Sequence, residues 1–281
     1  MSAAADNPSK ATRYPDNMGV VRYPADGNRI FAGLEDNSFW YRHRNKVILE
    51  CLTGTDLRLE GRFLEVGAGN GFVARAIMSA THLDVACLEP DPEGAQAIRE
   101  RGIEQVICAP FREDAVAPAS VSVMGMFDVL EHAPDELAFL KLANRTLTPG
   151  GCLLVTVPAY NWLWSIEDEH DGHVRRYSLR GLERALQEAG FIVGYATYFF
   201  VLLPLPIFLL RTIPSRLRLG NKKSAGSYAA QRAEQATRDH AGPRAVSKTL
   251  ANSMFAWEMA LIRRRKVLPF GGSIAALALK P

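Results

Sequence analysis

The chain alternates short apolar runs with stretches whose apolar residues recur at helical spacing. Arg62–Val66 reads as a strand, and Phe72–Ala80 as a helix with Val73, Ile77 and Ala80 on one face. Asp84–Leu88 reads as a second strand. The helix Pro92–Arg101 follows, with Pro92 in the first turn, where a missing N–H costs nothing, and Gly102 as its stop. Gln105–Ala109 and Val121–Phe127 are predicted as strands three and four. Pro134–Leu147 is predicted as a helix whose Asp135 and Glu136 sit where the helix dipole favours acids. Pro149-Gly150-Gly151 turns the chain into strand five, Cys152–Val157. Ser178 is a good N-cap for a helix reaching Ala189, and Gly190 ends it. Phe191–Tyr198 and Ile274–Leu279 complete seven strands. Strands spaced by helices this regularly predict an α/β, doubly wound, mostly parallel sheet covered on both faces.

Two regions break that rhythm. Residues 1 to about 30 are rich in Pro, Asp, Asn and Ala and read as an irregular arm, whereas Glu35–Leu52 turns helical, with Phe39, Trp40, Val47, Ile48 and Leu52 at helical spacing. The expected division is therefore 1–52, arm and leading helix, and 53–281, the main domain. An insertion over about 199–270 separates strands six and seven. Its start, Tyr195–Leu210, is almost wholly apolar. At about 16 residues it falls short of the roughly 20 that span a bilayer, and Pro204 and Pro206 interrupt it. Arg211–Lys248 is basic and reads as loop, with Arg211, Arg216, Arg218, Lys222 and Lys223 early and only Glu234 and Asp239 as acids. The apolar run either packs on the sheet edge or a second subunit, or it roofs an apolar pocket or dips into a membrane surface while the cations meet anionic head groups.

Composition narrows the classes. With 281 residues and 48% hydrophobic content the chain can bury a full core, and a net charge of +3 is too mild to require nucleic acid as a partner. The first ten residues carry no apolar run, which argues against a secretory signal and for a cytoplasmic protein, peripheral to a membrane if the apolar segment reaches one. Cys51, Cys87, Cys108 and Cys152 have no metal-ligand spacing among them and suit a reducing compartment.

The densest chemical signal is Phe63-Leu64-Glu65-Val66-Gly67-Ala68-Gly69-Asn70-Gly71-Phe72. An apolar strand runs into three alternating glycines, and a helix follows. Such a turn is tight, its backbone must approach a ligand closely, and the helix start offers free N–H groups to an anion. Dinucleotide sites place the third glycine three positions after the second; here the place is taken by Phe72. Glu89 ends strand two, where a carboxylate can accept from both hydroxyls of a ribose.

Glu65-Val-Gly-Ala-Gly-Asn-Gly71 is similar to motif I of class I S-adenosylmethionine-dependent methyltransferases. Phe127-Asp128-Val129-Leu130-Glu131-His132 resembles the strand-four segment of their small-molecule branch, and Thr148-Pro149-Gly150-Gly151 also fits. The resemblance implies a Rossmann-like sheet with strand seven antiparallel and S-adenosylmethionine across the carboxyl ends of strands one to four. Carried over, Glu65, Gly67, Gly69 and Gly71 would hold the cofactor's methionine end and Glu89 its ribose, and Asp128 would also bind the cofactor. Phe111 would flank the adenine, and Glu113 would accept from its amine, although the family commonly places its acid closer to strand three. The segment from Asn37 to Asn45 resembles the leading helix of many bacterial members. It is expected either to form a lid, with Arg44 on the cofactor carboxylate, or to be a plain amphipathic helix.

Two clusters are candidates for the acceptor site. Asp128, Glu131, His132 and Asp135 share one face if helical. Ubiquinone-biosynthesis O-methyltransferases have a similar spacing linked to a divalent cation, but the expectation here is no metal, with Glu131 and His132 capping the next helix and meeting the cofactor. After strand five come Trp164, Asp168, His170, His173, Arg175, Arg176 and Tyr177, similar to a Gly-His-x-Arg-Arg-Tyr loop of bacterial methyltransferases. There His173, with His132 and Asp168, is the expected catalytic group. Trp164, Arg175, Arg176 and Tyr177 are expected to bind substrate, and the alternative is an Arg176–Asp168 ion pair that fixes the loop. The expected activity is methyl transfer to a small or lipid-linked, hydrophobic or aromatic acceptor by a monomer or homodimer. The rivals are a protein or nucleic-acid methyltransferase and a silent cofactor-binding scaffold.

Overall fold

A computed structural model describes residues 38–55, 57, 59–217 and 248–281. The arm at 1–37 and the central part of the insertion, with Arg218, Lys222 and Lys223, lie outside the described residues.

Helix α1 (Phe39–Thr53) starts at Ser38, whose hydroxyl accepts from the N–H groups of Trp40 and Tyr41. Then β1 (Arg62–Val66), α2 (Phe72–Ala80), β2 (Asp84–Leu88), α3 (Pro92–Glu100), β3 (Gln105–Ile107) and β4 (Val121–Phe127) alternate. After β4 come a 3-10 turn at Leu130–His132, α4 (Glu136–Thr146), β5 (Leu147–Pro158), α5 (Ile166–Asp171), α6 (Leu179–Glu188) and β6 (Ile192–Phe199). The insertion opens with a helical run made of α7 (Pro204–Ile207), a π-helical stretch (Phe208–Thr212) and α8 (Ile213–Arg216). It closes with α9 (Lys248–Arg263), ahead of β7 (Ser273–Leu279). The loop expected over Arg211–Lys248 is thus corrected at both ends, where the chain is helical.

The seven strands form one sheet in the order β3-β2-β1-β4-β5-β7-β6, with β7 antiparallel to both neighbours and the other pairs parallel. Most side chains of β1, β2, β4 and β5 are buried on both faces, as helices on both sides require, so these strands read as continuous apolar runs. Strand order reverses between β1 and β4. Doubly wound sheets bind ligands beyond the carboxyl ends of the strands at such a reversal.

The leading helix is tied to the insertion. Glu258 on α9, fully buried, accepts from His43 Nε2 at 2.6 Å, from Phe200 N at 3.0 Å and from Val201 N at 2.8 Å. Phe200, at φ 61°, stacks on Trp40 with ring centroids 5.5 Å apart.

Candidate cofactor and acceptor sites

At the end of β1 the backbone turns through Gly67, Gly69 and Gly71, with φ of 68°, 55° and 76°. A Cβ on Gly67 would lie 2.7 Å from the Val129 side chain, and one on Gly71 would lie 3.1 Å from Ile98. Space and dihedral therefore both demand glycine. Gly67 N and Ala68 N bond to Leu88 O, which sets the turn beside the end of β2. Buried Glu89 accepts from Gly69 N at 2.7 Å and from Asp91 N at 3.0 Å, so its carboxylate lies between the glycine turn and the start of α3. Glu65 is buried in β1.

The opposite wall comes from α1. The Arg44 guanidinium lies over the rings of Trp40 (4.7 Å) and Tyr41 (5.1 Å) and donates to Asp128. Asp128 follows β4 at φ 57° and also accepts from Thr156 Oγ1 at 3.3 Å. Burial alone would lower the Arg44 pKa, but Asp128, Tyr41 and Glu65 outweigh it and hold the group charged. Its Nε is buried with no hydrogen-bond partner. A left-handed glycine turn, a carboxylate at the end of β2 and a buried guanidinium N–H lacking an acceptor suit S-adenosylmethionine, whose amino-acid carboxylate can take that N–H.

Beyond β4 and β5 lies a second group. Asp168, fully buried on α5, accepts from Ser165 N (2.9 Å), His173 Nδ1 (2.8 Å), Arg176 Nε (2.7 Å) and Arg176 NH2 (3.0 Å). Burial would raise its pKa, yet His173 and Arg176 overcome this and bring it down to about 2. With Nδ1 held by Asp168, His173 presents Nε2 towards Glu131 Oε1, 3.9 Å away. Its ring meets that of His132 edge-on, at 4.8 Å between centroids. The Glu131 carboxylate is fully buried and neither oxygen has a hydrogen-bond partner. Burial and then the Asp128 charge push its pKa up to about 8. For His173, burial lowers the pKa, but the Asp168 hydrogen bond and the Glu131 charge prevail and raise it. The donor atoms of Glu131, His132 and His173 lie within 4.8 Å of one another, close enough to hold a metal ion.

Not every expected residue joins these groups. Asp128, Glu131, His132 and Asp135 do not share a helix face, because a 3-10 turn intervenes and Asp135 is the N-cap of α4. The capping role expected of Glu131 and His132 therefore falls to Asp135. Arg176 pairs with Asp168 and donates to Ala159 O, the ion pair expected as the alternative for this loop. Arg175 donates to Pro134 O and pairs with Glu136. Tyr177 is buried, with its hydroxyl on Glu136 at 2.7 Å. Trp164 is half-buried beside Ser165. Phe111 is buried edge-on against Phe139, and Glu113 is exposed and paired with Arg145. Sequence reasoning missed the roles of Trp40, Tyr41 and Thr156 around Arg44 and Asp128. It also missed Glu258, which has no local signal at all.

The chain matches the methyltransferase-domain family over residues 40–194. It is 30% identical over 183 residues to a Mycolicibacterium smegmatis protein named as a probable S-adenosylmethionine-dependent methyltransferase, covering 64% of this chain and 69% of the relative. It is also 30% identical over 101 residues to a ubiquinone biosynthesis O-methyltransferase of Xanthomonas oryzae, covering 34% of this chain and 42% of that one. Solved structures share the fold. A phosphoethanolamine N-methyltransferase of Haemonchus contortus with bound S-adenosylmethionine superposes with a TM-score of 0.55 at 18% identity, over 92% of this chain and 57% of that one. A SAM-dependent methyltransferase of Archaeoglobus fulgidus gives 0.53 at 14% identity, over 85% and 94%. With the glycine turn and Glu89 at the ends of β1 and β2, Arg44 on Asp128 after β4, and a family match over more than half its length, the chain belongs to the S-adenosylmethionine-dependent methyltransferases.

Proposed function

We propose that this methyltransferase acts on a hydroxyl or amine of a hydrophobic small-molecule or lipid-linked acceptor, with His173 taking the acceptor's proton and no metal ion taking part. The observation that carries the reading is the 2.8 Å bond from His173 Nδ1 to Asp168. It fixes the tautomer and leaves Nε2 to accept a proton. The imidazolium so formed would lie between the carboxyls of Asp168 and Glu131, which is why its protonated form is favoured there. Bound S-adenosylmethionine supplies an electrophilic methyl. The glycine turn, Glu89 and Arg44 would fix its position, and alignment of the two reactants carries most of the rate.

The test follows formation of S-adenosylhomocysteine against a panel of phenols, catechols, long-chain amines and prenylated alcohols. With an acceptor in hand, His173→Gln should lower kcat by roughly 10²–10⁴-fold, the span of general-base catalysis, with S-adenosylmethionine affinity unchanged. A variant that keeps its kcat removes His173 as the base.

A further inference from the structure

Phe200, directly after β6, holds a backbone conformation that a bulky residue ordinarily avoids. Its φ of 61° lies in the left-handed region, where a Cβ crowds the backbone and glycine is the usual occupant. The conformation is pinned from both sides. Phe200 N donates to the buried Glu258 carboxylate at 3.0 Å, and Phe200 O accepts from Leu203 N at 3.0 Å and from Gly272 N at 3.1 Å. Gly271 closes the fit, since a Cβ there would collide with Phe199 O. Glycine at position 200 would keep the same bonds at no steric cost, and only the ring would be lost. Strain held this firmly, at a residue type that worsens it, points to a task for the side chain.

The ring is fully buried and reaches the leading helix. It stacks on Trp40 with centroids 5.5 Å apart and planes 14° from parallel, and its centroid lies 5.2 Å from that of the His43 ring. Trp40 in turn carries the Arg44 guanidinium 4.7 Å from its own centroid, one turn further along α1. Trp40 is half-buried, so an indole that lost the Phe200 stack would gain room to turn. Arginine has a long side chain with many rotamers, and a single bond to Asp128 leaves the guanidinium able to pivot about it. The contact with Trp40 restrains that pivot and sets the direction of Nε, the N–H left without an acceptor. We infer that Phe200 is a positioning residue for cofactor binding: its ring holds Trp40, and Trp40 aims the Arg44 guanidinium at the methionine carboxylate of S-adenosylmethionine. That role rests on the reading of Arg44 as the carboxylate's partner. The root of the insertion thereby helps to shape the cofactor site.

The experiment is calorimetry on the full chain with two ligands, S-adenosylhomocysteine and methylthioadenosine, which shares the adenosine and thioether but has no amino-acid end. Arg44→Gln should weaken S-adenosylhomocysteine binding by roughly 10–100-fold, the span for a hydrogen bond to a charged group, and leave methylthioadenosine within about twofold of the parent. Phe200→Leu keeps an apolar side chain in the core. It should cost S-adenosylhomocysteine about tenfold, because the bond is misaligned rather than removed, and again spare methylthioadenosine. Added to Arg44→Gln it should cost nothing more, since both act through one contact. Trp40→Leu reaches the same guanidinium without touching the strained backbone or the Glu258 bonds. It should reproduce the ligand-selective loss even where Phe200→Leu is too unstable to purify. Equal losses for the two ligands, no loss for either, or losses that add in the double variant overturn the inference and leave Phe200 as packing alone. Arg44→Gln without a selective loss is a different failure: it takes Arg44 off the cofactor, and the role of Phe200 falls with it.

Discussion

His43 and Glu258 are 215 positions apart in the chain and 2.6 Å apart in space. Their contact, with the two backbone N–H groups that share the same carboxylate, joins the leading helix to the end of the insertion. Glu258→Ala leaves Phe200 N and Val201 N buried without an acceptor and should cost roughly 3–5 kcal/mol. His43→Ala should cost less, because Glu258 keeps both backbone donors. Urea unfolding that finds both variants within about 1 kcal/mol of the parent would show the contact to be incidental.

Glu89 is predicted to hold the cofactor ribose. Glu89→Ala should weaken S-adenosylmethionine binding by about 1.5–3 kcal/mol, the range for hydrogen bonds to a charged group. Gly69→Val should be worse, because it puts a branched side chain at a left-handed position in the turn. Calorimetry on the folded variants checks both. Unchanged affinity for Glu89→Ala would take that residue out of the site.

The rate should depend on pH through His173. Its pKa is raised, so turnover should climb with pH through a midpoint above its ordinary value of 6.5. Glu131→Gln removes one of the charges that raise it, and the limb should move to lower pH. A flat profile, or a limb that Glu131→Gln leaves in place, would assign the proton to another group.

Asp168 ties pH to stability in the opposite direction. Its carboxyl titrates at about 2 when folded against 3.8 for an ordinary aspartate, a gap worth about 2 kcal/mol. That contribution is present above pH ~4 and is lost as pH falls towards 2. The stability gap between the parent and Asp168→Asn should therefore be largest near neutrality and shrink through that window. A gap that is constant with pH would mean the ion pair with Arg176 adds nothing to stability.

Chelation tests the metal-free reading. Methyl transfer should survive exhaustive treatment with EDTA. Loss of turnover that magnesium or zinc restores would hand Glu131, His132 and His173, whose donor atoms already converge, to a cation.

The parallel half of the sheet was legible because its signals are local. Phe63 to Phe72 encodes strand, turn and helix start in one run, and Ser178 caps α6 through its bond to Gly181 N as expected. The chemistry of the loop after β5 was half legible. His173 and Asp168 stood out by residue type, but only the geometry shows that Arg176 is bonded to Asp168. Helix α9 was missed although Phe255, Met259 and Ile262 follow helical spacing, because basic residues before and after it disguise the apolar face. Glu258 carries no local mark of its task. A lone acid in an amphipathic helix ordinarily faces water, and only tertiary packing turns this one inward.

One consequence of the leading helix concerns traffic. Consecutive residues on α1 are anchored in different directions, His43 to Glu258 and Arg44 to Asp128. A helix fastened at both points cannot swing away without breaking a buried contact. Cofactor and product should therefore exchange past the unfastened rim, and loosening Glu258 should speed release of S-adenosylhomocysteine while leaving the alignment of the methyl less exact.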